Sequence, residues 1–163
     1  MKTFSIEIKW ALVFVVMTLV WMCFEKLIGL HDQYIEKHAT YTNLIAVPAI
    51  AVYVFALLDK RDNYYAGYLT WKEGFISSLI ITAIVTVLSP LTQFITFRFI
   101  TPQYFKAVIG FATSTGLMNR ADAEAQFNFN NYLVQGLIGS AVMGAVTAAV
   151  VALFVKRAKK KAL

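Results

Sequence analysis

Residues 75–100, FISSLIITAIVTVLSPLTQFITFRFI, decide how the chain folds. They are long enough to cross a hydrocarbon core of about 30 Å, which takes roughly 20 apolar residues. They also carry hydroxyls, an amide, a proline and an arginine. At about 100° per residue, Ser78, Thr82, Thr86, Ser89, Gln93 and Thr96 fall on one narrow face of a helix. Lipid satisfies neither hydroxyls nor amides, so this polar stripe should face other helices, where each interhelical hydrogen bond contributes roughly 0.6–2 kcal/mol. The alternative is that the stripe lines a path for a solute. Pro90 removes one backbone hydrogen bond and should kink the helix, leaving the carbonyl near Thr86 for a neighbouring hydroxyl. A packed kink is the simpler reading and a gating hinge the other.

Three further apolar runs accompany this one, at about 10–30, 41–58 and 132–155. The chain of 163 residues is 59% hydrophobic and 15% charged, with a mean hydropathy of +0.63. That composition points to a membrane protein. The expected fold is all-α, a single membrane domain over 1–163: an integral four-helix bundle with a helical extracytoplasmic loop over about 101–131. The last run carries Gly136, Ser140, Gly144, Ala148 and Ala152 at intervals of four, flanked by Gly139 and Thr147. Such a ridge of small residues lets another backbone approach closely. It is the expected seat for the stripe, with homodimerisation through the same ridge as the alternative.

Lysine and arginine bias sets the orientation. Lys2, Lys9, Lys60, Arg61, Lys72, Lys156, Arg157, Lys159, Lys160 and Lys161 fall on one side, against Lys26, Lys37, Arg98, Lys106 and Arg120 on the other. Both termini should therefore be cytoplasmic. Trp10, Tyr41, Trp71, Tyr104 and Tyr132 lie near span ends, where amphipathic rings favour the headgroup region. The net charge of +6 comes largely from the tail KRAKKK and needs no nucleic-acid partner.

The first run has no cleavage pattern and reads as a retained anchor; its Cys23, the single cysteine, is expected to be packed and unpaired. Glu25 lies toward the outer end of this span. An intramembrane carboxylate is a functional hypothesis, but the adjacent Lys26 favours an ion-paired or snorkelling residue. Elsewhere no ionisable side chain is expected deep in a span, which argues against proton-coupled transport. Arg98 should snorkel to the headgroups, with Glu25 as the rival partner. His31, Asp32, Glu36 and His38 crowd the first outer loop but match no strong metal spacing, so a solvated loop is expected. In the third connection, Gln103–Thr115 should form one helix stopped by Gly116, and Asn119 should cap a second. That segment should cover the bundle or dock a partner. No phosphate-binding glycine loop, nucleophile elbow or H-E-x-x-H is present. No enzyme activity, cofactor or metal is expected.

The run RDNYYAGYLTWKEGFISSLIITAIVTVLSPLTQFITFRFITPQYF, residues 61–105, resembles the centre of a Bacteroidetes membrane family, domain of unknown function 4199. Arg61, Asp62, Gly67, Phe75, Phe97, Phe99 and Pro102 carry the resemblance, with the later GLM at 116–118 and the basic tail. Thr101 stands where the family usually has asparagine. The resemblance implies a Gram-negative inner membrane and transfers no activity. The expected role is that of a small non-enzymatic membrane protein, with the lipid bilayer, a second copy or another membrane protein as its partners. A channel or carrier for a neutral or weakly polar solute is the alternative.

Overall fold

The computed structural model describes residues 4–158. Seven helices follow in order: α1 (Ser5–Leu27), α2 (Ile35–Tyr41), α3 (Ala46–Asn63), α4 (Trp71–Ile95), α5 (Tyr104–Ser114), α6 (Arg120–Gln126) and α7 (Phe129–Val155). Four segments are long and apolar enough to cross a membrane: Ser5–Leu27, Ile35–Asn63, Trp71–Ile100 and Phe129–Val155. The second includes α2 and a tight turn at Thr42–Ile45. Pro48 has no N–H to offer the Leu44 carbonyl one turn earlier, which favours tightening there.

Sequence chemistry sets the ends. Thr70 and Glu73 form a reciprocal capping box at the start of α4. Asn119 accepts from the Asp122 N–H at the start of α6, as expected, and Asn128 does the same for α7 through Asn131. Gly116 follows α5 at φ +70°, a conformation suited to glycine. The α1 terminus is a Schellman turn: Gly29 sits at φ +80°, its N–H donates to Lys26, and Leu30 N–H donates to Glu25.

The bundle is built on α4, which packs most extensively on α7 and next on α1. Its stripe faces inward: Ser78, Thr82, Ser89 and Thr96 are buried, and Thr86 and Gln93 half-buried. The Ser89 hydroxyl donates to the Thr86 carbonyl at 2.9 Å, the group that Pro90 leaves free. Past Ile95 the chain widens into a π turn, with Thr101 N–H reaching Thr96 O at 2.8 Å. Glu7, Lys60 and Ser77 meet at the end of the bundle where α1 begins and α7 ends, the terminal end; the loops around 28–45 and 101–128 lie at the opposite, distal end.

Two expectations need correction. Cys23 is exposed on α1 and thus faces outward, because the packed face of that helix runs through Glu7, Ala11 and Glu25. The small-residue ridge of α7 is occupied by α4. The spans also hold more buried charge than Glu25 alone: Glu7 and Lys60 are both inside, with Lys60 Nζ 2.9 Å from Glu7 Oε1. The helices begin earlier or run later than hydropathy suggests, which carries both residues into the bundle. Lys2 and Lys159, Lys160 and Lys161 lie outside the described residues.

Candidate functional site

Two polar centres lie at opposite ends of the bundle. At the terminal end, the Glu7 carboxylate takes a hydrogen bond from Ser77 Oγ at 2.7 Å and pairs with Lys60, whose ammonium also lies 3.8 Å from the centre of the Tyr64 ring. Beside it, Asp59 pairs with Lys9 and accepts the Trp10 indole N–H at 2.7 Å. These contacts tie α1, α3 and α4 together. A buried pair of this kind holds position more than it adds stability.

The distal centre is chemically richer. The Schellman turn folds the chain back so that His31 lies over the end of α1, and α2 brings His38 beside it. Glu25 and His31 are almost fully buried, with side-chain exposures of 0% and 2%, while His38 keeps 17%. Trp21 Nε1–H donates to Glu25 Oε1 at 2.6 Å. The other carboxylate oxygen lies 3.0 Å from His31 Nε2 and 3.6 Å from His38 Nε2. Tyr104, from α5, closes the cluster: its hydroxyl lies 3.3 Å from His38 Nδ1 and 3.1 Å from the Tyr132 hydroxyl on α7. Burial pushes the Tyr104 phenol up from its ordinary value, and the Tyr132 and Glu25 side chains add to this.

The expected solvated loop is thus divided. Asp32 stays outside and bonds Lys26 at 2.9 Å, which holds its carboxyl below the usual range. Glu36 is exposed, and the two histidines turn inward. Glu25 has His31 and His38 beside its carboxylate rather than Lys26. Arg98 is exposed in a groove with Phe94, Phe97, Phe105 and Phe129.

The stripe meets the ridge directly. A Cβ on Gly144 would stand 2.4 Å from Thr82 Cγ2, and one on Gly136 would stand 2.0 Å from Gln93 Nε2. Ser140 Oγ reaches Thr86 Oγ1 at 3.2 Å. The Thr82 hydroxyl donates to the Ser78 carbonyl at 3.0 Å and lies 2.7 Å from the Tyr53 hydroxyl on α3. Ala148 and Ala152 are wholly buried. Gly139 points into open space. A groove of about 340 Å³, lined by Thr18, Thr92, Gln93, Thr96, Gln135 and Gly136 among others, opens in the distal half. Gln93 Nε2 is buried there without a hydrogen-bond partner.

Sequence reasoning missed the convergence of Glu25, His31 and His38. The available signal was Gly29, a turn residue four positions after Glu25 and two before His31.

No curated protein and no solved structure matches the chain. The family model described as Protein of unknown function (DUF4199) matches residues 9–157, from the second turn of α1 to the end of α7, and the chain belongs to that family.

Proposed function

We propose that the protein works without catalysis, as a small component of the bacterial inner membrane that assembles with itself or with another membrane protein. Both termini face the cytoplasm in this reading, which the lysine and arginine bias supports. The observation that carries it is the fit of Thr82 against Gly144. The hydroxyls of Thr82, Thr86 and Ser89 bond carbonyls of α4 or groups on α3 and α7, so these polar residues of α4 serve to hold helices together. With the ridge filled internally, the helical segment α5–α6 is the element outside the spans that is large enough to dock another protein.

The second reading, a carrier for a neutral or weakly polar solute, is favoured by the groove that reaches Gln93. The two separate under water-soluble thiol labelling of single cysteines at Thr82, Thr86, Ser89 and Gln93, in a Cys23→Ser background and in native membranes. Protection at Thr82 and Thr86 supports the assembly role. Labelling at all four positions would mean an aqueous path along α4 and would overturn it. Native mass spectrometry of the protein extracted with its lipids should then find a second copy or another membrane protein bound.

A further inference from the structure

In the distal cluster one carboxylate oxygen of Glu25 faces the Nε2 atoms of two histidines. His38 Nε2 lies 3.6 Å from Glu25 Oε2, too far for a hydrogen bond, yet it is held beside that oxygen by the docking of α2 and by Tyr104. A neutral His38 that donates from Nδ1 to the Tyr104 hydroxyl turns a bare Nε2 lone pair toward a carboxylate oxygen. Two lone pairs at that distance repel unless something positive lies between them. His31 Nδ1 is buried with no partner, so the network is also incomplete on its other side. Among the described residues no lysine or arginine pairs with Glu25, and a buried carboxylate without a counter-charge is costly.

We propose that Glu25, His31 and His38 bind one divalent transition-metal ion of the zinc class. One nitrogen or oxygen from each lies within 4.8 Å of the other two. A tetrahedral ion with arms of about 2.0–2.1 Å separates its ligand atoms by roughly 3.4 Å. The two edges that meet at the carboxylate, 3.0 and 3.6 Å, bracket that length. Two imidazoles and one carboxylate suit zinc and its neighbours better than calcium or magnesium, which take oxygen ligands. Two of the three ligands are already held through the atom that faces away from the ion: Trp21 holds Glu25, and Tyr104 holds His38. The ion would offset the buried carboxylate and fasten the turn after α1, α2 and, through Tyr104, α5 to the bundle. The proposal goes beyond the assembly role and stands whether or not that role holds.

The test uses the full chain with Cys23→Ser, purified in lipid nanodiscs and stripped with a chelator. Zinc chloride is titrated calorimetrically, and cobalt(II) is added separately to read the absorption of a tetrahedral site. The expected result is one zinc per chain, displacing cobalt, with an affinity at least about tenfold weaker in His38→Gln. His38 is the partly exposed ligand, so this variant should keep the fold, which circular dichroism checks. Asp32→Asn and Glu36→Gln, in the same loop but outside the cluster, should bind as the parent does. Absence of saturable one-to-one binding in the folded parent, or equal affinity in a folded His38→Gln, overturns the proposal.

Discussion

Thr82 lies in the notch that Gly144 leaves in α7: a β-carbon there would stand 2.4 Å from its methyl and 2.8 Å from its hydroxyl. A β-branched side chain on a helix has little rotamer freedom with which to move aside. Gly144→Ala should therefore destabilise the bundle by about 1–3 kcal/mol. At Gly136 the close atoms belong to the end of the Gln93 amide, which can swing away, so Gly136→Ala should cost less. Unfolding in mixed detergent micelles gives the order; equal effects would count against a specific Thr82–Gly144 seat.

Lys60→Met should be the most damaging change at the terminal end. It leaves the Glu7 carboxylate, 2% exposed, buried with the Ser77 hydroxyl but without a counter-charge, a loss of about 3–5 kcal/mol. Adding Glu7→Gln should recover much of that loss. The same unfolding measurement on the two single variants and the double checks it; additive losses would mean that the pair does not act as a unit.

Tyr104 makes stability depend on alkaline pH. Its folded value is raised by burial above an unfolded value of about 10. The unfolded chain therefore loses this proton first. The stabilisation is fully present below about pH 10 and declines as pH rises above it. Tyr104→Phe should flatten this part of the stability profile relative to the parent, which thermal unfolding between neutral and alkaline pH will show.

Orientation is open to direct measurement. Single cysteines at Ile35 and Gly110 should react with an impermeant thiol reagent applied from outside the cell, and one at Asn63 should react only after the membrane is opened. The opposite pattern would invert the proposed topology.

Much of the bundle was legible because helical periodicity is local. The stripe from Ser78 to Thr96 and the ridge from Gly136 to Ala152 follow from spacing alone, and each finds the other in the structure. The Thr86 carbonyl that Pro90 leaves free, taken by Ser89, and the Asn119 cap rest on one turn of chain each. The centre at Glu25 was hidden for a different reason. Its histidines lie six and thirteen residues further on, and they reach the carboxylate only because Gly29 reverses the chain and α2 folds back. Glu7 and Lys60 fall outside the apolar runs at 10–30 and 41–58 because hydropathy marks where apolar side chains stop, whereas a helix continues while its polar groups find partners.

Helix α1 carries a buried carboxylate near each end. Glu7 and Glu25 are eighteen residues apart, five turns of 3.6 residues, which puts both on one face about 27 Å apart along the axis. One is pinned to Lys60, the other to the distal histidines. The protein thus contains a ruler of fixed length, close to the thickness of a bilayer's hydrocarbon layer. A helix fastened at both marks can neither slide nor turn to suit a different membrane. Thinner or thicker lipid must deform around it, so bilayers whose acyl chains match the ruler should stabilise the protein most.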